Sequence, residues 1–262
     1  MHKIVFPTLV VIWAEFSFAA PPMPPFRSTE MVSAERLLEG VATHLTKSPK
    51  DARAYEVKGQ IHLAAFRHQQ KLIKVFHRGS PLPNPIRRGD HYSEGPKPGP
   101  QSGPRNESLP LAKQAQHMLK AVRAFQQAIQ LDAKNALHHE LLAETLLDIS
   151  NRGEAVIAAV NGKEDSEVMA ELKKLIADGR AKQEAIRHYG LAHELGWQQG
   201  VDGYNPAFGD PWGNLVSYRT GETFLRLTED RNDDEVKKIK QSMDAFGAAL
   251  RKKQSAYKGP VR

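Results

Sequence analysis

The side chains with the most chemistry to offer are histidines and carboxylates: the chain holds 11 His and 30 Asp plus Glu, but no Cys. His138-His139-Glu140 falls in a helical pattern. It lacks the H-E-x-x-H order that sets two imidazoles one turn apart on a metal. His188 and His193 are five residues apart, a poor spacing for one helical face. His44, His62 and His139 occupy apolar packing positions and read as semi-buried rings set against neighbours. Asp202-Gly203-Tyr204-Asn205 through Asp210 gathers oxygen ligands in a Gly-rich stretch, as calcium loops do. The order of a twelve-residue EF-hand loop and its terminal Glu are missing. The stretch reads instead as a loop pinned by Trp197, Tyr204, Phe208 and Trp212. Glu140 and Glu144 lie one turn apart and read as a solvated helix face. No Gly-rich phosphate loop and no G-x-S-x-G elbow is present. The pattern points to no catalytic residue, no metal and no cofactor, and away from an enzyme.

Elements that position these groups must be mostly helical. The chain has 262 residues, 40% of them hydrophobic and 7% aromatic, enough to bury a sizeable core. Its net charge of +7 permits weak attraction to acidic surfaces but does not establish nucleic-acid binding, and none is expected. Basic residues in 171–187 and 237–253 are interleaved with acids, as on solvated faces. At the N-terminus, His2 and Lys3 precede the apolar run 4–13, and Ser17 and Ala19 suit a cleavage site. Residues 1–19 therefore read as a signal peptide and the mature chain as exported, periplasmic or extracellular, without a membrane span. Glu15 and Pro7 keep open an uncleaved N-terminal anchor.

Residues 20–32 are Pro-rich and read as a linker. Ser33 is a candidate N-cap for a helix carrying Leu37, Leu38, Val41 and Leu45. A second helix is expected from Ala52 to about His77. The Pro/Gly-rich segment 79–110 loses apolar periodicity and reads as a disordered insertion. Helical patterning returns near Leu111 and runs to about Ser150, broken by the turn Asp132-Ala133-Lys134-Asn135. A connector over 151–162, helices over 164–177 and 181–195, a loop over 196–213 and a last helix pair over 214–228 and 234–253 follow. The helical domain thus spans 33–253, and 254–262 is a frayed tail.

Within that domain small and aromatic residues recur together. Ala121/Phe125/Ala128, Ala185/Tyr189/Ala192 and Ser242/Phe246/Ala249 share one spacing, and Leu37/Val41/His44 is a poorer copy. Tyr55/Gly59/His62, His139/Ala143/Leu146 and, more loosely, Ser217/Gly221/Phe224 form a second set. His44 to Gly59 and Ala128 to Ala143 are both steps of fifteen residues. In these features the chain resembles the tetratricopeptide repeat (TPR) family, whose unit is a helix pair of 34 residues. It departs from the family in long insertions inside the repeats. The resemblance implies an all-α fold of antiparallel helix pairs in a right-handed superhelical array.

The resemblance also implies a groove lined by the first helix of each pair, where peptides bind. Mapped onto this chain, the candidate groove residues are Arg53, Glu56, Gln60, Glu140, Glu144, Tyr218 and Glu222. Relatives that clamp a terminal carboxylate carry Lys and Asn where Glu56/Gln60 and Glu140/Glu144 stand here, so a neutral or basic segment suits this groove better. The expected function is an exported, non-enzymatic scaffold for a protein or peptide partner. Two alternatives are a cell-envelope polymer-binding module using the basic Pro/Gly loop, and an accessory subunit with a site in loop 196–213.

Overall fold

The computed structural model describes residues 29–76, 108–160, 166–203 and 212–256. Residues 1–28, 77–107, 161–165, 204–211 and 257–262 lie outside the described residues. That range holds the expected signal peptide, nearly all of the Pro/Gly insertion, the middle of the aromatic loop and the end of the tail.

The described chain is mostly helical: α1 (Ala34–Lys47), α2 (Ala52–His68), α3 (Leu111–Leu131), α4 (Ala136–Ala159), α5 (Ser166–Ile176), α6 (Arg180–Gly203), α7 (Trp212–Leu227) and α8 (Asp234–Ala256). Local chemistry fixes several helix starts. Ser33 Oγ accepts from the Arg36 amide, and Asp51 Oδ1 accepts from Arg53 and Ala54. Asn135 Oδ1 accepts from the Leu137 amide and starts α4 after the expected turn. Asp178, with φ 55°, and Gly179, with φ 67°, take the left-handed conformation in the short 3₁₀ turn between α5 and α6.

Four boundaries differ from expectation. α2 stops at His68, where Gln69 enters the left-handed region, and a strand β2 (Leu72–Phe76) follows. It pairs antiparallel with β1 (Thr29–Ser33), so the end of the expected linker is a strand, and this short pair sits beside an otherwise all-α fold among the described residues. The β-branched content of Leu72-Ile73-Lys74-Val75-Phe76 favours an extended backbone over a helix. At the far edge of the insertion, Ser108 bridges Gln70 and buried Leu109 donates its amide to Gln69 O. α4 runs through the expected connector to Ala159, and α6 runs into the expected loop to Gly203.

One continuous core joins Leu63 and Phe66 of α2 to Met118 and Phe125 of α3. It runs on through Leu142 and Ile149 of α4, Leu172 of α5, Tyr189 of α6, Phe224 of α7 and Ile239 of α8. A smaller cluster of Ala34, Ile61, Ala65 and Leu109 seats α1 on α2. α2 packs on α3, α4 on α3 and α6, and α7 on α6 and α8. The small residues of the repeated pattern lie at these crossings. Gly59, Ala121, Ala128, Ala143, Ala185 and Ala192 are buried with Phe125 and Tyr189, and Tyr55 is half-buried. A Cβ on Gly59 would stand 2.5 Å from Phe125 Cε1, so the ring occupies the space that glycine leaves. The side chains of Phe246 and Ala249 lie outside the described residues.

Candidate functional site: the polar seam along α4

α4 carries Glu140, Glu144 and Asp148 one turn apart on a single stripe, facing α2 on one side and α7 on the other. Three carboxylates in a partly buried stripe require cations, and the neighbouring helices supply them. Arg67 of α2 donates through Nη2 to Glu144 at 2.9 Å and through Nε to Asp148 at 2.7 Å. Arg219 of α7 donates through Nε to Glu140 Oε1. A further bridge joins α2 to α4: His138 Nε2 lies 3.1 Å from Glu56 Oε2, and Gln60 Nε2 donates to Glu56 Oε1. The helices α2, α4 and α7 are therefore stitched together by charge-assisted contacts.

These contacts correct the expected groove. Glu140 is not a solvated acid: it is 1% exposed, and Arg219 covers it. Burial pushes its carboxyl up to about 7, against the opposing pull of Arg219. Its second oxygen, Oε2, has no hydrogen-bond partner among the described residues. Glu144 and Glu56 are half-buried and engaged, and Gln60 and Arg53 are half-buried. Only Tyr218, 48% exposed, and Glu222 stand open on the surface. Buried Tyr189 of α6 lies within the field of Glu144 and Glu140; burial and these charges raise its phenol and keep it protonated. Arg67 stays charged because Glu144 and Asp148 outweigh the burial that opposes it.

Imidazoles join the helices elsewhere. His62 of α2 and His117 of α3 meet Nδ1 to Nδ1 at 2.9 Å, and His139 of α4 meets His188 of α6 in the same way at 2.9 Å. Burial, then the charge of neighbouring groups, holds His62 down to about 3 and His117 to about 4. His44 departs from expectation: it is exposed and pairs with Asp51 at 2.7 Å. Among the described residues no group of three or more His, Asp or Glu is arranged to hold a metal ion.

His193 of α6 is the arrangement nearest to a catalytic one. Its Nδ1 lies 2.8 Å from Ser217 O, and its Nε2 lies 2.8 Å from Ser242 Oγ. A carbonyl-oriented imidazole next to a hydroxyl is the start of an activated nucleophile. Here Ser242 sits mid-helix in α8, where backbone amides are consumed by the helix and none is free for an oxyanion. The contact works as a bolt between α6, α7 and α8. A cleft of about 490 Å³ beside α4 and α5 holds Glu154, Lys173 and Asp178, and another of about 200 Å³ holds Gln69, Gln114 and Arg152. Neither includes a nucleophile beside a base.

Arg67, Asp148 and Arg219 carry no signal of their own in the sequence, and His138 is weighed there only as a metal ligand. The stripe of acids at 140, 144 and 148 on an otherwise apolar helix was a usable signal that cations must face it. No described helix is long and apolar enough to cross a membrane. No family model, no curated protein and no solved structure matches the chain.

Proposed function

We propose that the chain is an exported, non-enzymatic scaffold, a divergent tetratricopeptide-like array that binds a protein or peptide segment along α2, α4 and α7. The observation that carries this reading is the stitched face itself. Arg67 and Arg219 tie α2, α4 and α7 into one surface, while Tyr218 and Glu222 on its α7 edge remain open. A rigid polar face with an exposed aromatic suits recognition, because an aromatic ring gives large contact area at low entropic cost. Glu140 and Glu144 are neutralised within the protein, so Glu222 is the acid that favours a basic or neutral partner segment. Site-specific photo-cross-linking tests this. A photoreactive amino acid at position 218 should give a discrete adduct in the native compartment, and one at exposed position 126 on α3 should give none. Equal labelling at both positions, or no adduct at 218, removes the face from consideration.

A further inference from the structure

The contacts around His139 and His188 admit only one placement of protons. His139 Nε2 lies 3.1 Å from Ala133 O, and a carbonyl only accepts, so Nε2 carries the hydrogen. In a neutral ring Nδ1 is then bare and must accept. Its partner at 2.9 Å, His188 Nδ1, must therefore be the N–H. That leaves His188 Nε2 bare, facing Arg187 Nη2 at 3.2 Å, and a guanidinium only donates. The reverse assignment fails at both ends, setting a lone pair against a carbonyl and an N–H against a guanidinium.

We propose that Arg187, His188, His139 and the Ala133 carbonyl form one proton-ordered chain that clasps α6 to α4 only while both imidazoles are neutral, so that acid releases this helix pair. An added proton has two places to go. On His139 Nδ1 it meets the His188 N–H; on His188 Nε2 it meets the Arg187 guanidinium. The charged and titratable groups acting on the pair are Arg187 of α6 and His138 of α4, both basic, and Arg187 is itself paired with Glu184 of α6 at 2.9 Å. Burial and then Arg187 hold His188 down to about 4. Burial lowers His139 too, by more than its bond to Ala133 raises it. Both rings are at least nine-tenths buried, so burial itself disfavours a charge on either, while Arg187 beside them is exposed. Freed by unfolding, each ring returns to its ordinary value of 6.5. At pH 5 His188 alone then favours opening by a factor of about 30, and His139 adds to it in the same direction. This device stands apart from the partner-binding face and does not depend on it.

Two measurements on the full chain test the clasp. At pH 7.5, long-range proton–nitrogen correlation of the imidazoles should show hydrogen on Nδ1 of His188 and on Nε2 of His139. Amide exchange of α4 and α6, corrected for intrinsic rate, should show opening promoted at least about 20-fold between pH 7 and pH 5. The double variant His139→Asn/His188→Asn joins amide to amide and does not titrate, so its response should be at least tenfold smaller. Reversed tautomers, a doubly protonated ring at pH 7.5, or the same pH response in both proteins overturns the proposal. If the variant does not fold, the tautomers of the unaltered chain decide alone.

Discussion

Replacing Gly59 by alanine sets two helical effects against each other, and the structure decides the sign. Gly59 lies inside α2, where alanine ordinarily stabilises by about 1 kcal/mol through backbone entropy. The new Cβ would stand 2.5 Å from Phe125 Cε1 and 2.7 Å from Cδ1 and Cζ. Favourable carbon–carbon contact lies near 3.5–4.0 Å, so the overlap is about 1 Å. Phe125 is 0% exposed and packed within the main core, so its ring can give way only by displacing its neighbours. Overpacking of this kind costs about 1–3 kcal/mol, which at this overlap exceeds the entropic gain. Gly59→Ala should lower stability by roughly 1–2 kcal/mol net, and its melting temperature by several degrees. Gly40 provides the contrast: it is an exposed residue of α1, and nothing lies within 4 Å of its would-be Cβ. Gly40→Ala should stabilise by about 0.5–1 kcal/mol. Urea unfolding of both variants, with a double-mutant cycle adding Phe125→Leu, measures the contact directly. A Gly59→Ala variant as stable as the parent, or showing no coupling to Phe125, would refute the packing argument.

Three further outcomes follow from the polar contacts. Arg67→Met leaves Glu144 and Asp148 facing each other in a partly buried seam, and chemical denaturation should show a loss of about 2–3 kcal/mol; a loss below about 0.5 kcal/mol would mean the seam adds little. Glu140 binds its proton more tightly folded than unfolded, so its contribution is fully present below pH 4.5 and is lost as pH rises through 7. From pH 5 to pH 8, Glu140→Gln should therefore gain about 2–3 kcal/mol on the parent, and parallel stability profiles would contradict this. Asp51 caps α2 and its carboxyl is lowered: burial raises it, but hydrogen bonds from His44 and from the Ala54 and Arg53 amides prevail. Asp51→Ala should cost about 1 kcal/mol near neutral pH. The deficit should shrink as the pH falls below 3.8 and the cap is protonated in the parent too. A deficit unchanged down to pH 2 would place the effect elsewhere.

How much was legible depended on how local the physics is. Ala121/Phe125/Ala128 and Ser33 announce a helix face and a helix start because both act within two turns of chain. The turn at Asp132–Asn135 declares itself through residues that bond their own backbone. The strand Leu72–Phe76 is not legible because its apolar residues also fit a helical face, and its partner β1 lies about forty residues away. The expected connector over 151–162 contains Gly153, yet α4 continues through it: a Cβ there would run into Ile176, so the glycine serves close packing instead of a turn. The charge state of the candidate groove residues is not readable from the sequence. Arg67 reaches Asp148 across 81 residues, and Arg219 reaches Glu140 across 79. Separations of that size leave no local trace beyond an unpaired stripe of acids.

The claim that α2, α4 and α7 form a binding face is tested most directly by comparative affinity capture from the native compartment. Three baits are needed: the parent chain, a Tyr218→Ala/Glu222→Lys variant, and a Gln126→Ala/Gln130→Ala variant on the outer side of α3. A partner retained by the parent and by the α3 variant should be lost from the α7 variant. Retention of the same partner by all three baits would contradict it.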